Sequence, residues 1–527
     1  MSNMSEASDF NRGDSPDSTG VQNPPRTLGA ILLRLGPGVI IAGSIVGSGE
    51  LIATTKVGAE AGFWLLWLIL IGCMIKVFAQ VEIGRYTVTW GQTSLDGLNR
   101  VPGPRLRVNW LVWYWLVMTV LVLAQQGGIV GGVGQALAIS RPLTQQGRAF
   151  HETQDQVVNA KVQIALLQMQ GKNDSQAIQR LQARIETLTN HLKTQRQPND
   201  THIWAAAIAV ITAVLLFIGR YQMIQTVSII LVAIFTLVTF ITVALLQTRP
   251  GWRMNGQDLI HGLSFHLPPI IEGITQSPVA TALAAFGIIG VGAAELIMYP
   301  YWCLEKGYAR FTGPRDGSAQ WFDRARGWMR VMRADAWISM VVYTFATAAF
   351  YLLGAAVLRR ARLDPGSEDM VRTLAQMYVP VFGSWAHLLF LFGAFAVLYS
   401  TFFVACAGNA RMTADGLGLL GLVERSEASR LRWSRILSGA FPLIALVLYL
   451  FLQAPVAMIL ASGTCQAIML PMLGGAALYF RYRRCESQLR PGRLWDLMLW
   501  LSFGGFLIIG TWTALTTFLP QLTKAHP

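Results

Sequence analysis

Eleven long apolar segments constrain this chain more than any other feature of its sequence. Crossing the hydrocarbon core of a bilayer takes roughly 20 mostly apolar residues, and segments of that kind recur along most of the chain. The composition agrees, because only 13% of the residues are charged, against about 25% in a typical soluble protein. We therefore predict an all-α polytopic membrane protein with spans near residues 30–54, 61–85, 108–138, 203–219, 224–247, 280–302, 334–358, 385–408, 434–452, 455–480 and 494–518.

The basic residues lie in alternate connections between these segments. The connections after the sixth, eighth and tenth segments are rich in Lys and Arg, whereas the one after the ninth has none. Cytoplasmic loops carry the excess of Lys and Arg, so we predict a multi-pass protein of the inner membrane with a cytoplasmic N-terminus and an exterior C-terminus. The net charge of +14 reflects this topology. No interleaved basic and aromatic surface indicates nucleic-acid binding.

The polar parts of the chain divide it further. Residues 1–28 are rich in Ser, Asp and Pro and lack the apolar core of a signal peptide, which predicts a disordered cytoplasmic tail. Residues 29–140 contain the first three transmembrane helices, and 203–519 contain helices 4–11, before a short C-terminal tail at 520–527. Between them, residues 141–202 are predicted to form an exterior helical hairpin. A passive appendage is the favoured interpretation of this insert, and binding of an unknown partner is the alternative.

A short sequence pattern occurs twice. Residues 46–52 read VGSGELI and residues 291–297 read VGAAELI, and each follows an apolar run that contains Ile-Ile. An odd number of spans separates the two copies, so they enter the membrane with opposite orientations. This arrangement is typical of inverted-topology repeats, in which interrupted helices form a substrate site near the bilayer midplane.

Each copy places a glutamate beside small residues that weaken a helix. A carboxylate near the bilayer centre costs roughly 2.5 kcal/mol or more, unless it is protonated, paired or bound to a cation. Oxygen ligands of this kind suit hard divalent ions. We therefore predict a cation site made by Glu50 and Glu295, although the small residues could simply allow close helix packing. The neighbouring candidates, through their backbone, are Gly47, Ser48, Gly49, Val291, Gly292 and Ala294.

The same stretches resemble a known family. GPGVIIAGSIVGSGELIATTKVGAEAGFWLLW (36–67) resembles the first-helix region of the Nramp divalent-metal transporters, and AAFGIIGVGAAELIMYP (284–300) resembles their sixth helix. The resemblance implies a LeuT-like fold, with two inverted five-helix repeats plus an eleventh helix. It also implies transport of Mn²⁺ or Fe²⁺ with protons, the metal ion being cargo and no cofactor being required.

The family's metal ligands are altered here. Its helix-1 Asp-Pro-Gly-Asn break falls on residues 47–50, so that Glu50 stands where the family has Asn. In helix 6, one alignment puts the family's Met on Ala294, and the internal repeat instead puts its Asn on Glu295. Both alignments remain open.

Glutamines stand near other family positions. The helix-3 acidic residues of the family fall on Gln125 and Gly128, and its helix-10 Gln falls on Gly463, one turn from Gln466. We take as supporting candidates Gln125, Gln126, Gln466 and Lys76.

Two charged residues within predicted spans have alternative interpretations. Lys76 is either a counter-ion to the two glutamates or a lysine that extends to the cytoplasmic surface or bonds Gln80. Asp335 is either part of a gating salt bridge with Arg330 or Arg333 or simply an interfacial residue.

No catalytic constellation is visible, so we do not expect an enzyme. The sequence favours a secondary transporter that moves a divalent ion of the Mn, Fe or Mg class by alternating access. A cation-coupled transporter of a small organic solute, such as an amine or amino acid, is one alternative. A non-transporting sensor that signals through the exterior hairpin is another.

Overall fold

The computed structural model describes residues 20–36, 38, 46–169, 171, 176–195, 197–219, 222–269, 277–366, 369–383 and 385–524, without the side chains of 222–225, 228 and 518–524. Helices dominate this part of the chain, and its β-structure is one antiparallel pairing of Arg105–Leu106 with Val108–Asn109. The prediction of an all-α protein is confirmed.

The helices of the first half begin with short pieces and continue with long ones. They are α1 (Leu28–Leu33), α2 (Ser48–Thr54, π-helical), α3 (Thr55–Ala61), α4 (Leu66–Trp90), α5 (Ser94–Asn99), α6 (Trp110–Ser140), α7 (Gln145–Met169), α8 (Gln176–Thr194), α9 (Asp200–Ile218), α10 (Gln222–Leu246) and α11 (Gly256–Leu263).

The second half of the chain also combines short and long helices. Its helices are α12 (Pro278–Ile288), α13 (Ala293–Glu305), α14 (Tyr308–Thr312), α15 (Ala319–Leu353), α16 (Met370–Ala375), α17 (Val379–Phe382), α18 (Trp385–Leu419), α19 (Glu427–Leu452), α20 (Pro455–Tyr479) and α21 (Arg493–Lys524). Single π-helical turns at Gly354–Leu358 and Phe480–Arg484 extend α15 and α20.

Ten of the predicted spans match helices that are long and apolar enough to cross a membrane within the described residues. The remaining one, predicted at 30–54, includes residues outside the described ranges, so only its ends are seen. The α12–α13 pair is the most enclosed of the ten, with 94% of its apolar window buried. This pair contains the second copy of the repeated pattern, which therefore lies at the centre of the helix bundle.

The predicted tails are shorter than expected where the structure describes them. The Gln22 amide donates to Phe311 O (3.1 Å), and Trp328 Nε1 donates to Gln22 O (3.0 Å). Residues 20–27 therefore lie against α14 and α15 instead of belonging to a disordered segment, whereas 1–19 are outside the described residues. At the other end, α21 runs to Lys524, past the predicted boundary at 519.

The predicted hairpin in 141–202 consists of α7 and α8, which pack against each other. It does not simply project from the bundle, because α7 is bound to α16. The buried Arg372 guanidinium donates to Asp155 Oδ1 and to His151 O (3.1 Å), and its second nitrogen contacts His151 Nδ1 at 2.9 Å. The hairpin therefore lies over the segment that joins α15 to α18.

Candidate cation site

In both copies of the repeated pattern, residues outside regular helix come directly before the start of a helix. In the first, Val46 and Gly47 form a turn, and α2 begins at Ser48 as a π-helix. In the second, α12 ends at Ile288 and α13 begins at Ala293, leaving four residues outside regular structure. Irregular backbone at membrane depth is tolerated only where it is buried in protein or lines a cavity. The two breaks are therefore places in the bundle where backbone N–H and C=O groups become available to bind other groups.

Gly290 makes the second break sterically possible. Its φ of +58° lies in the left-handed region that side chains disfavour. A Cβ at this position would also lie 2.9 Å from the Tyr343 ring and 3.3 Å from Cys73 Cα. The glycine thus allows the break to lie directly against α4 and α15.

Glu50 connects the two breaks. Its side chain is fully buried, and its Oε1 accepts from the Gly290 amide (2.9 Å) and from Thr347 Oγ1 (3.3 Å). Its Oε2 accepts from the Gly47 amide at 3.5 Å. Because both carboxylate oxygens already accept hydrogen bonds, Glu50 acts first as a brace that fixes one break relative to the other. Sequence reasoning missed Thr347, whose only signal is a hydroxyl within an apolar helix.

Glu295, in the first turn of α13, has the opposite surroundings. Its Oε2 is buried and has no hydrogen-bond partner among the described residues, while the side chain as a whole keeps partial exposure. A buried carboxylate oxygen without a donor is costly. Of the two glutamates, Glu295 is therefore the one with an oxygen available to a ligand.

Gly292 leaves a space that three oxygens share. A Cβ added there would lie 2.9 Å from Gln466 Oε1 and 2.9 Å from Gly287 O, and closer still to Glu295 Oε2. The backbone of Gly292 is in the ordinary extended region (φ −69°, ψ 174°), so the local conformation does not demand glycine. What demands it is the convergence of a carboxylate, an amide and a carbonyl oxygen, which is the donor set of a hard-cation site.

A chain of neutral side chains joins this space to the first break. Gln466 Oε1 accepts from the Ala294 amide (3.1 Å), and its Nε2 donates to Gln125 Oε1 (3.1 Å). Gln125 Nε2 donates in turn to Ser48 Oγ (3.2 Å). Ser462, which the sequence did not single out, donates to Gln125 Oε1 at 2.8 Å. The structure thus brings together candidates from α2, α6, α13 and α20.

Some candidates lie apart from this chain of contacts. Gln126 accepts from Cys406 Sγ (3.1 Å) and so points toward α18. Position 463 serves close packing, because a Cβ there would lie 3.1 Å from the Ala284 carbonyl carbon and closer to its oxygen. The Gly47 and Gly292 carbonyls accept the Leu51 and Leu296 amides at 2.8 and 2.9 Å, because the helices that follow each glycine use these carbonyls in their first turns. Each carbonyl oxygen retains a second lone pair.

The sequence left two alternative interpretations of Lys76, and the structure shows its contacts. Its side chain is fully buried on α4, and Nζ donates to Phe286 O (2.5 Å) and Ile289 O (2.7 Å). It therefore neither extends to the cytoplasmic surface nor bonds Gln80, whose amide atoms have no partner among the described residues. The ammonium instead satisfies carbonyls released at the end of α12.

Asp335 holds the start of the first segment. Its carboxylate accepts from the Gly36 amide (3.1 Å), the Gly38 amide (2.5 Å) and Tyr299 Oη (3.1 Å). Within the described ranges it makes no ion pair with Arg330 or Arg333, so a gating salt bridge is not the arrangement observed. The carboxylate ties the chain before the first break to α15, because backbone amides at a chain turn are nearer to it than the arginines.

The described residues contain no group of three or more His, Cys, Asp or Glu side chains able to hold a metal ion. A cation at the breaks would therefore depend on the two glutamates together with amide, hydroxyl and carbonyl oxygens. This is an oxygen-only donor set, without the soft sulfur ligand that the family resemblance places at Ala294.

Comparisons with known proteins agree with the sequence pattern. The model of the family described as natural resistance-associated macrophage protein-like, or Nramp, matches residues 197–516. No curated protein sequence matches the chain.

Solved structures show the fold. A point mutant of the Eremococcus coleocola manganese transporter has a TM-score of 0.63 and 15% identity, covering 95% of this chain and 89% of that one. The same transporter in complex with an aromatic bis-isothiourea substituted compound has a TM-score of 0.60 and 16% identity, covering 97% and 91%. MhsT in complex with L-phenylalanine has a TM-score of 0.50 and 14% identity, covering 93% and 98%. These similarities bear out the LeuT-like fold. Since the family model covers more than half of its length, this chain belongs to the Nramp family.

Proposed function

We propose that this protein carries a divalent metal ion of the Mn, Fe or Mg class across the inner membrane by alternating access. Membership of the Nramp family supports a metal-ion transporter. The observation that carries the site assignment is the convergence of Glu295 Oε2, Gln466 Oε1 and Gly287 O beside Gly292. The unpartnered Oε2 is the anionic ligand, and Glu50 fixes the two breaks and adds negative charge.

The donor set favours the harder members of this class. Mg²⁺ and Mn²⁺ accept carboxylate and carbonyl oxygens readily. In one of the two alignments with the family, the Met position falls on Ala294, whose amide donates to Gln466 instead of offering a sulfur. We therefore expect Mg²⁺ and Mn²⁺ to bind better than softer ions. No resident cofactor and no catalytic activity form part of the proposal.

Alternating access would require two contacts to open, one on each side of the site. Near the start of the first segment, Asp335 holds the Gly36 and Gly38 amides. On the other side of the break, α3 packs so closely on the π-helical end of α15 that a Cβ at Gly58 would lie 2.9 Å from the Ala355 amide nitrogen. Opening of the first contact exposes the site to the cytoplasm and opening of the second exposes it to the exterior, in the orientation that the Lys and Arg distribution predicts. The hairpin is proposed to be a passive cover.

A small organic cation is the second candidate cargo, and Lys76 is the observation that favours it. A fixed ammonium beside the glutamates opposes a doubly charged ion more than a singly charged one. Methylamine is a simple probe of this alternative.

Calorimetric titration of the purified protein with Mn²⁺ and Mg²⁺, combined with uptake into proteoliposomes, tests the proposal. Glu295→Gln should weaken metal binding by about 10- to 100-fold, because a neutral ligand replaces a charged one, and it should lower uptake accordingly. Glu60→Gln is the matched control, since Glu60 is an acid of α3 paired with Lys56 at 2.9 Å and not with the breaks. Unchanged metal affinity in Glu295→Gln would remove the proposed site, and methylamine uptake without metal uptake would favour the second candidate.

A further inference from the structure

We propose that Lys76 is a tethered cation that sets the charge selectivity of the site, disfavouring divalent cargo relative to monovalent cargo. The inference rests on the proposed cation site between the two breaks. It begins with the position of the ammonium, which is fully buried and bonded only to backbone carbonyls in the described contacts.

The carbonyls that Lys76 occupies belong to a helix end. Phe286 O and Ile289 O lie at the C-terminal end of α12, where a half-helix presents unsatisfied carbonyls and the negative end of its dipole. Interrupted helices in membranes use such ends to coordinate cations. Nζ also lies 4.8 Å from the centroid of the Phe286 ring, a cation–π distance. A covalently attached ammonium thus stands where a mobile cation would otherwise be stabilised.

The side chain is held there by close packing of α4 on the second break. A Cβ at Gly72, one turn before Lys76, would lie 2.8 Å from the Phe286 ring. Cys73 lies against Gly290, and its carbonyl accepts from Tyr343 Oη at 3.3 Å. Because α4 approaches the break this closely, the ammonium is buried against the end of α12 beside the second break.

The charge of Lys76 changes how much positive charge the site can neutralise in a bound cation. When they are ionised, Glu50 and Glu295 each carry one negative charge and Lys76 carries one positive charge. The other side chains that contact the site, including Gln125 and Gln466, are neutral. A buried excess charge is costly, so the ammonium reduces the net negative charge with which the site can stabilise a bound cation.

If Lys76 acts through its charge, its effect on binding depends on the charge of the bound cation, whereas a purely structural lysine would show no such dependence. The repulsion between the ammonium and a bound cation is proportional to the charge of that cation. Removal of the ammonium should therefore change the logarithm of the dissociation constant about twice as much for a divalent ion as for a monovalent ion. A change in packing alone would alter both constants by similar factors.

The experiment compares wild type with Lys76→Gln, which retains an N–H donor without the charge. Dissociation constants for Mn²⁺ and Na⁺ are measured by ligand-dependent thermal stabilisation, at constant ionic strength held with N-methyl-D-glucamine chloride. We expect Mn²⁺ to bind about tenfold or more tightly to the variant, and Na⁺ only about threefold more tightly. Lys56→Gln is the matched control, because Lys56 is also buried but pairs with Glu60 and Asp364. It should leave the Mn²⁺ to Na⁺ ratio unchanged.

Lys76→Met, which has an unbranched side chain without charge or donor, provides a second variant if the Gln protein does not fold. Unchanged constants, or equal factors for Mn²⁺ and Na⁺, would overturn the role of Lys76 while leaving the cation site intact. Absence of Mn²⁺ and Na⁺ binding in wild type and in the folded variants would overturn both the inference and the proposed function.

Discussion

Gly292→Ala is the substitution that probes the proposed site most directly. The added Cβ would lie 2.9 Å from Gln466 Oε1 and from Gly287 O, and closer still to Glu295 Oε2. Separations of 3.4 Å or more are ordinary for a Cβ, so the methyl group must displace the Glu295 carboxylate. The φ and ψ of residue 292 are −69° and 174°, which alanine adopts freely. The conformation of residue 292 is therefore no obstacle to alanine, and the strain arises from the three oxygens that the Cβ would meet.

The size of the effect follows from the lost ligand. A hydrogen bond or equivalent contact to a charged group is worth about 1.5–3 kcal/mol, and each 1.4 kcal/mol is a factor of ten in affinity. Loss of the Glu295 contact alone should thus weaken Mn²⁺ binding by about 10- to 100-fold. The unfolding temperature should fall as well, because the Gly287 carbonyl that the Cβ meets at 2.9 Å belongs to the backbone and cannot turn aside as the Glu295 carboxylate can.

Titration calorimetry on the purified variant measures the affinity, and thermal unfolding in the absence of metal reports whether the protein is folded. Gly504→Ala is the matched control, since a Cβ at Gly504 meets no atom within 4 Å. A folded Gly292→Ala protein with wild-type affinity for Mn²⁺ would refute the assignment of this space as the cation site.

Three further perturbations test the surroundings of the site. Glu50→Gln should lower the unfolding temperature and reduce the free energy of unfolding by about 1–3 kcal/mol, because the new amide N–H would face donors that bond a carboxylate in the wild type. An unchanged melting curve would contradict the bracing role. Asp335→Asn should loosen the chain at the Gly36 and Gly38 amides and so speed alkylation of the buried Cys303 from the cytoplasmic side, which mass spectrometry measures. An unaltered alkylation rate would exclude this contact as a gate. Burial and the neighbouring Arg372 guanidinium lower the pKa of His151 to about 4, so the folded state binds fewer protons than the unfolded chain. Docking of α7 should accordingly be fully stable above about pH 6.5 and weaken as the pH falls toward 4, whereas His151→Gln should remove this dependence in hydrogen exchange of α7.

The spans and the two breaks could be read from the sequence because both are local properties. Apolar length sets whether a segment crosses a bilayer, and the repeated VGSGELI and VGAAELI patterns mark the same interruption in two segments. The hairpin of α7 and α8 was also predictable, since its apolar residues recur at helical spacing. Its docking was not, because Arg372 lies more than 200 residues from His151 and nothing near either residue indicates the other.

The roles of the charged residues required the tertiary structure. The sequence treated Glu50 and Glu295 as equivalent ligands, but Gly290 and Thr347 donate to the first and leave the second with a free oxygen. It left Lys76 between two interpretations, and only the approach of α4 to the end of α12 shows that its ammonium bonds the Phe286 and Ile289 carbonyls.

What the sequence by itself determined is a polytopic helical protein with two matching glutamates, each preceded by small residues that weaken a helix. What only the tertiary structure decided is which donors, carbonyls and charges meet those glutamates. The physical reason is that a helix break is specified by residues adjacent in the chain, whereas the charge balance of a buried site is a sum over groups brought together from α2, α4, α6, α13, α15 and α20.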